Sequence, residues 1–533
     1  MAEERSDVLV IGSGPAGAAV TKRLTDLGAK VVCLEQGDWV NPADYPSTRQ
    51  DWETATIRGP FHFNPNVRKR PEDYPVVAAG EHPREVQLFN AVGGTIHWGA
   101  HFPRPHPSDF RVRSLDGVAD DWPIRYEDLE RYYDMNDREM GVSGVSGDPQ
   151  NPPRSARPTP PLSLGEMGKT IGSGFDKLGW YWWVSDNGII SRFYDGRLAC
   201  EMHGKCQLGC PMRAKATADV TYWPKALKKG AVLKTWARVR EITLDAQGRA
   251  RGALYYDQQG NLKEQLASVV VVSCNGVGTP RLLLNSKSKL FPEGLANSSG
   301  MVGKCFMGHA HQKIEGIFDQ PMNSEEAPPY LAFSQQFYET DLTRGFVRGY
   351  TIGVQRKYGP LEHARGGKGM PPVPWGVAHH GAMRKRYPHV IQLGVLGEDL
   401  PDENNRVELD PAVTDSNGIP AARVIYSWNE NSVKLLEHSL RMGRQLLEAA
   451  GAVEISSRGI DQSAAHLMGT ARMGSDPKRS VVNAWNQAHD VKNLYVVDGS
   501  SFTTSASVNP TSTIGALALR AADGIWEHRR DWS

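Results

Sequence analysis

The sequence predicts an α/β protein of two domains, one built around a parallel sheet and the other an α+β domain with an antiparallel sheet. Two observations indicate this fold class. The chain opens with a glycine-rich strand–turn–helix unit at residues 7–35, and strand-like runs joined by short turns recur through residues 312–455. Strands joined by short turns are typical of antiparallel sheets, whereas a strand that leads into a helix is typical of a parallel sheet.

The opening unit predicts a Rossmann-like dinucleotide-binding domain. An apolar run, Val8–Ile11, leads into a helical pattern, and a second strand, Lys30–Leu34, ends at Glu35. The glycines between the first strand and the helix are Gly12, Gly14 and Gly17. In such motifs they allow a tight turn, close approach to a pyrophosphate and close helix–strand packing, in that order. A carboxylate at position 35 suits a ribose 2′-hydroxyl and disfavours the phosphate of NADP, which leaves FAD or NAD.

Length, charge and hydropathy restrict the class of protein further. The chain has 533 residues, which is too many for a single hydrophobic core. Its net charge of +1 gives no reason to expect nucleic acid as a partner. No apolar window is long enough for a transmembrane helix. The polar first residues leave no room for a secretory signal, so we expect a cytoplasmic protein, periplasmic only if exported with a partner.

Both predicted domains are assembled from separated segments. The dinucleotide-binding domain takes residues 1–45, 85–115, 230–310 and 460–533. The substrate-binding domain takes residues 45–85, 115–230 and 312–455, including the loop Cys200–Cys210. Within the first domain, a helix is expected to start at Thr279-Pro280 because proline favours the first helical position.

Motifs at both ends of the chain resemble the glucose–methanol–choline (GMC) oxidoreductases. They are the opening glycine motif, Gly93-Gly94-Thr95-Ile96-His97-Trp98, His466-x-x-Gly469-Thr470, Asp498-Gly499 and Asn509-Pro510-Thr511. The resemblance covers nearly the whole chain and is looser at residues 312–455. It is nearest to the catalytic subunits of bacterial FAD-dependent sugar dehydrogenases, with the pyranose and glycoside oxidases as a second branch.

The resemblance implies FAD, held non-covalently, and assigns its contacts by region. The adenosine end would meet Glu35, Val239, Asn275 and Gly276; the isoalloxazine would meet Gly93, Gly94, Thr95 and His97; the diphosphate and ribityl chain would meet Asp498 and Gly499; flavin N1 and O2 would meet Asn509, Pro510 and Thr511. In pyranose oxidases a histidine in a similar turn carries the flavin covalently. Here the loop is one residue shorter, so we expect His97 to pack beside the flavin instead.

The resemblance also implies the chemistry. A neutral imidazole suits removal of a hydroxyl proton, and a second group must orient that hydroxyl. The matching positions are His466 as general base and Asn509 as its partner. The expected reaction oxidises a sugar, glycoside or polyol hydroxyl to a carbonyl, with hydride transfer to flavin N5 and electrons passed to a quinone or cytochrome. Alternatives are an oxidase that makes hydrogen peroxide, a flavin-binding lyase and a non-catalytic electron-transfer subunit.

Three clustered cysteines, Cys200, Cys206 and Cys210, favour a metal over disulfides in a chain expected in the cytoplasm. Three thiolates and a proline after the last cysteine are typical of iron–sulfur sites, and in the resembled dehydrogenases a similar segment holds a 3Fe–4S cluster. Glu201 stands where those proteins commonly have another cysteine. An iron-free loop and a zinc site with His203 as fourth ligand are the alternatives. A cluster would favour a small accessory subunit or a redox partner.

Overall fold

The computed structural model describes residues 5–54, 71–356, 359–366, 371–460 and 463–532, so part of the predicted segment 45–85 lies outside the described residues. The strands are β1 Ser6–Ile11, β2 Val31–Leu34, β3 Val76–Ala79, β4 Glu85–Val86, β5 Trp183–Val184, β6 Val232–Lys234, β7 Arg238–Leu244, β8 Ala250–Tyr256, β9 Leu262–Val272, β10 Ala310–Ile317, β11 Tyr330–Phe337, β12 Tyr350–Gln355, β13 Val390–Gly397, β14 Arg406–Thr414, β15 Pro420–Ile425, β16 Glu454–Ile460, β17 Ser463–Ala464 and β18 Leu494–Val496. The α-helices are Pro15–Leu27, Val112–Asp116, Glu127–Met140, Gly165–Leu178, Tyr222–Lys228, Asn275–Asn285, Pro360–Ala364, His379–Arg386, Glu430–Ala450 and Thr511–Glu527.

The first sheet combines a parallel part with an antiparallel extension. Its parallel strands run in the order β6-β2-β1-β9-β18. Strand β9 belongs to both parts, because its second half is parallel to β1 and its first half pairs antiparallel with β8, which pairs with β7. The valines at the end of β9 are buried, as expected for a central parallel strand covered on both faces. This arrangement confirms the predicted Rossmann-like sheet.

The second sheet is antiparallel throughout and has the order β16-β10-β13-β12-β11-β5. The helix Glu430–Ala450 packs on it through its apolar stripe, because Leu435, Leu436 and Leu447 share a core with β10 and β13. Polar side chains of the same sheet, including His311 on β10, line a large cavity. The predicted antiparallel substrate sheet is therefore confirmed.

Two small sheets and one segment with mixed contacts complete the described fold. The small sheets have the orders β14-β15-β3 and β17-β4. The segment 115–230, assigned above to the substrate domain, contributes Leu129 and Tyr133 to the core of the first sheet, while the domain division itself stays a prediction. No helix in the described ranges is long and apolar enough to cross a membrane.

The helix predicted to start at Thr279-Pro280 starts four residues earlier, at Asn275, so that prediction was wrong. The Asn275 side-chain oxygen accepts hydrogen bonds from the backbone N–H groups of Val277 at 2.9 Å and Gly278 at 3.1 Å, which caps the first turn. Pro280 therefore lies inside the helix, where it cannot donate to the carbonyl of Gly276. The buried Thr470 hydroxyl donates to that carbonyl instead, at 2.8 Å.

Replacement of Thr470 by valine tests this compensation. The isosteric change leaves the Gly276 carbonyl buried and unpaired, so we expect a loss of about 1–3 kcal/mol of stability, seen as a lower apparent melting temperature. Pro280→Ala restores a backbone N–H donor for the Gly276 carbonyl, so Thr470→Val should lower the melting temperature clearly less in that background. An equal cost in both backgrounds would contradict the compensation.

Candidate active site

A cavity of about 830 Å³ lies between the first and second sheets. Most predicted site residues line it: Gly12, Gly14, Glu35, Gly94, Thr95, His97, Val239, Asn275, His466, Asp498, Gly499, Asn509, Pro510 and Thr511. Gly17, Gly93 and Gly276 do not line it, nor do the three clustered cysteines. The structure thus brings both ends of the chain to one cavity.

The glycines away from the cavity permit close backbone contacts. A Cβ atom at Gly17 would overlap the Gly12 carbonyl oxygen, and one at Gly276 would overlap the Leu467 carbonyl oxygen. A Cβ atom at Gly93 would similarly collide with the backbone of Asp219. The absence of a side chain at these three positions therefore lets the backbone segments around the cavity pack closely. The residues that line the cavity are available to a ligand.

Gly14 and Glu35 form the nucleotide end of the cavity. Gly14 immediately precedes the helix Pro15–Leu27, and apart from its two chain neighbours no described atom lies within 4 Å of the position that a Cβ atom would take there. The Glu35 carboxylate accepts hydrogen bonds from the Ser13 N–H at 2.9 Å, the Ser13 hydroxyl at 2.6 Å and the Gly37 N–H at 2.8 Å. A helix N-terminus open to the cavity, next to an oriented carboxylate, fits the pyrophosphate and ribose of a dinucleotide.

Asp498 joins the C-terminal segment to the helix Asn275–Asn285. Its Oδ2 accepts hydrogen bonds from the Asn275 N–H at 3.0 Å and the Thr279 hydroxyl at 2.6 Å. Burial raises the pKa of this carboxyl group, although its hydrogen bonds lower it in part. Asp498 thereby fixes Gly499 and Asn275 along the same wall of the cavity.

His466 lies within a chain of hydrogen bonds in which the donor and acceptor of each bond are determined. His309 Nε2 lies 2.9 Å from the Ala506 carbonyl oxygen and 3.2 Å from that of Ser505, and both can only accept, so Nε2 carries the proton. In neutral His309, Nδ1 is then an acceptor, and it lies 2.8 Å from His466 Nδ1. His466 must therefore donate from Nδ1, which leaves a lone pair on its Nε2.

Asn509 continues this chain. Its Nδ2 lies 3.2 Å from His466 Nε2 and donates to that lone pair, and its Oδ1 lies 2.8 Å from His101 Nδ1. Both His466 and Asn509 line the cavity. The predicted pair is therefore in contact, with an unprotonated imidazole nitrogen beside an amide donor.

Burial keeps these imidazoles neutral. It lowers the pKa of His466 well below its usual 6.5, and the adjacent His309 lowers it further. Burial also lowers the pKa of His309 to about 4, although its two carbonyl partners oppose this shift. Because both rings are uncharged near neutral pH, the direction of the hydrogen-bond chain is maintained there.

His97 faces the cavity and contacts the cysteine loop. Its Nδ1 lies 2.8 Å from the Gln207 carbonyl oxygen, and its ring stacks on Phe89. The buried Lys215 ammonium joins the same two segments, because it donates to the carbonyl oxygens of Ile96 at 2.6 Å and of Cys206. Burial lowers the pKa of His97 to about 4. The turn 93–98 and the cysteine loop thus form one wall.

The three clustered thiols do not form a ligand set in the structure. Cys200, Cys206 and Cys210 are free, and within the described ranges no group of three or more His, Cys, Asp or Glu side chains is arranged to hold a metal ion. Cys200 Sγ accepts a hydrogen bond from the Met202 N–H at 3.4 Å, and burial raises its pKa to about 11. The thiols as placed do not fit an iron–sulfur cluster or a zinc ion.

Two site residues, His309 and His101, were missed in the sequence. His309 immediately precedes β10 and shares its alternation with His311, which also lines the cavity, so the pattern His-x-His at the start of this strand was the available signal. No local pattern distinguishes His101, which follows Ala100 in an apolar stretch. Each contacts its partner only through the tertiary fold.

Comparison with known proteins agrees with this architecture. Two family models, both described as GMC oxidoreductase, match residues 187–310 and 401–518. The 2-methyl-1,2-propanediol dehydrogenase of Mycolicibacterium austroafricanum is 44% identical and aligns with 98% of this chain and 95% of its own. The fructose dehydrogenase large subunit of Gluconobacter japonicus is 30% identical, and the alignment covers 98% of this chain and 97% of that protein. A structure of formate oxidase from Aspergillus oryzae RIB40 matches with a TM-score of 0.70 over 99% of both chains at 14% identity, which shows a shared fold.

The fold, the dinucleotide-binding end and the relatives define an oxidoreductase of the flavoprotein class. The chain belongs to the GMC oxidoreductase family. Family membership supports FAD as the cofactor and confirms the resemblance seen in the sequence. Glu35 and the turn at Gly12 and Gly14 are the residues of this chain that fit the adenosine and pyrophosphate groups.

Two glycine substitutions separate cofactor binding from folding. Gly14→Val places a side chain in the cavity without a protein clash, so we expect FAD affinity to fall about tenfold or more, while the FAD-stripped protein melts as the wild type does. Gly17→Val overlaps the Gly12 carbonyl and should lower the melting temperature of the stripped protein. The measurements are FAD titration and thermal denaturation. Normal FAD affinity in Gly14→Val would contradict this placement.

Proposed function

We propose that this protein oxidises a hydroxyl group of a polyol, sugar or glycoside to a carbonyl, with FAD as the hydride acceptor. The observation that carries the proposal is the unprotonated Nε2 of His466 in contact with the Asn509 amide, at two residues that both line the cavity. Alcohol oxidation requires a base for the hydroxyl proton and a second group that holds the same oxygen. His466 and Asn509 supply both.

In the proposed reaction, the substrate hydroxyl takes the place of the Asn509 N–H at His466 Nε2, and this nitrogen then accepts the hydroxyl proton. The resulting imidazolium keeps its Nδ1–H bond to His309, whose own proton stays bound to the backbone carbonyls. The displaced N–H of Asn509 Nδ2 donates to the substrate oxygen and stabilises the charge that develops there. FAD, when bound, supplies N5 as the acceptor of the carbinol hydride.

We infer the substrate class and the electron acceptor from the names of the relatives. A dehydrogenase named for a short diol is 44% identical to this chain, and a sugar dehydrogenase subunit is 30% identical. These names favour a polyol or sugar, and an acceptor other than oxygen. The second candidate is an oxidase that makes hydrogen peroxide, which is supported by the 28% identity with the paromamine 6′-oxidase of Streptomyces fradiae.

A partner for electron transfer is also a proposal. The relative from Gluconobacter japonicus is named as a large subunit, which favours an accessory subunit or a cytochrome or quinone acceptor here. The 3Fe–4S cluster predicted at Cys200, Cys206 and Cys210 stays a prediction, as does the cytoplasmic location. Analysis of iron and acid-labile sulfide in the purified protein tests the cluster directly.

Replacement of His466 tests the proposed function. We expect His466→Ala to retain FAD and to slow anaerobic flavin reduction by a polyol or sugar about 10²–10⁴-fold, the range for loss of a general base. The matched control is His438→Phe, because His438 bonds Tyr350 outside the cavity. Bleaching of the wild-type flavin excludes a lyase, and peroxide formation in air distinguishes an oxidase. An unchanged rate in His466→Ala would overturn the role of this base.

The pH dependence follows from the lowered pKa of His466. Only the unprotonated ring accepts a proton, and because burial lowers its pKa, protonation should inactivate the enzyme only below pH 6.5. We therefore expect kcat/KM for an uncharged polyol to be constant above about pH 6.5 and to fall on the acid side. An acid limb centred above pH 7 would contradict a neutral, buried His466.

A further inference from the structure

We propose that His101 is a positioning residue that fixes the orientation of the Asn509 amide, an inference that rests on the proposed function. His101 lies 408 residues before Asn509 in the sequence, and its Nδ1 is 2.8 Å from Asn509 Oδ1. Asn509 in turn contacts His466 through Nδ2. His101 also lines the cavity, and the proposed role is exerted through its hydrogen bond to Asn509.

The direction of each hydrogen bond determines which way the amide faces. The carbonyls of Ser505 and Ala506 fix the proton on His309 Nε2, which makes His466 Nε2 an acceptor. Only the Nδ2 group of Asn509 can donate to that nitrogen, so Oδ1 must face His101. His101 then donates from Nδ1, and all bonds of the chain are satisfied.

The opposite orientation of the amide would impair the chemistry. A rotation of Asn509 by half a turn would place Oδ1 against the lone pair of His466 Nε2. The same oxygen would face the substrate oxygen as negative charge develops on it. Both contacts are repulsive, so a donor at position 101 selects the productive orientation before the substrate binds.

The surroundings of His101 suit this role. The ring is buried, and it stacks on Tyr330 with centroids 4.2 Å apart and an interplanar angle of 11°. Its Nε2 is buried and has no hydrogen-bond partner among the described residues. A buried N–H without an acceptor is costly, and the single proton of a neutral ring is therefore best placed on Nδ1. Stacking on Tyr330 holds the ring in the plane from which this proton reaches Asn509.

A packing role and a donor role for His101 predict opposite results in two variants. His101→Phe keeps an aromatic ring on Tyr330 but removes the donor. His101→Asn removes the ring but places an amide N–H at the same distance from the backbone as Nδ1. Each variant is purified with FAD, and its FAD content and melting temperature are recorded as readouts of folding.

The decisive measurements are the anaerobic rate of flavin reduction at saturating polyol and the Kd of a tertiary alcohol. A tertiary alcohol has no carbinol hydrogen to transfer, so it reports binding without reaction. We expect His101→Phe to reduce the flavin about 10–10²-fold more slowly, with Kd changed less than about threefold. His101→Asn should recover most of the rate. In an Asn509→Ala background, His101→Phe should slow flavin reduction little further, because the amide that His101 orients has been removed.

Three outcomes would overturn the proposal: wild-type rates in His101→Phe, a full loss of rate in His101→Asn with FAD retained, or additive losses in the double variant. These differ from a failure of the proposed function, which would appear as no flavin reduction by any polyol or sugar in the wild-type protein.

Discussion

Two backbone carbonyl oxygens, those of Ser505 and Ala506, set the direction of hydrogen bonding through the whole site. A carbonyl oxygen cannot change from acceptor to donor, so the His309 ring that contacts both has one available tautomer. That tautomer determines the state of His466, and His466 determines the orientation of Asn509. The protonation states of several side chains thus depend on the position of one short backbone segment.

This segment is held by the ends of the antiparallel sheet. The Ser505 hydroxyl bonds the backbone of Asp399, which follows β13, and the Ser507 hydroxyl donates to the Gly349 carbonyl at 2.7 Å, next to β12. The chain at His309 is fixed from the other side by Arg84, which donates to the carbonyls of Gly308 and His309 at 3.0 Å. The second sheet therefore orients the reacting groups as well as lining the cavity.

The cysteine loop contacts the turn at residues 93–98, which lines the same cavity. Lys215 bridges the carbonyls of Ile96 and Cys206, and His97 bonds Gln207. Burial lowers the pKa of Lys215 to about 8, which its nearby thiols and Asp219 oppose. These contacts join the loop to the turn at residues 93–98.

Three features could be predicted from the amino-acid sequence alone: the dinucleotide-binding unit, the antiparallel sheet of the predicted substrate domain, and the pair of His466 and Asn509. Each of these leaves a local pattern, because the glycine motif, the succession of strands and turns, and the short motifs around His466 and Asn509 each span at most a few tens of residues. The helix starting at Asn275 was misplaced because the Gly276 carbonyl, which Pro280 cannot bond, is bonded by Thr470, 194 residues after Gly276. His309 and His101 contact their partners across 157 and 408 residues. Only the tertiary structure could assign them, because a hydrogen bond between distant side chains depends on how the two sheets are packed and leaves no periodicity in the chain.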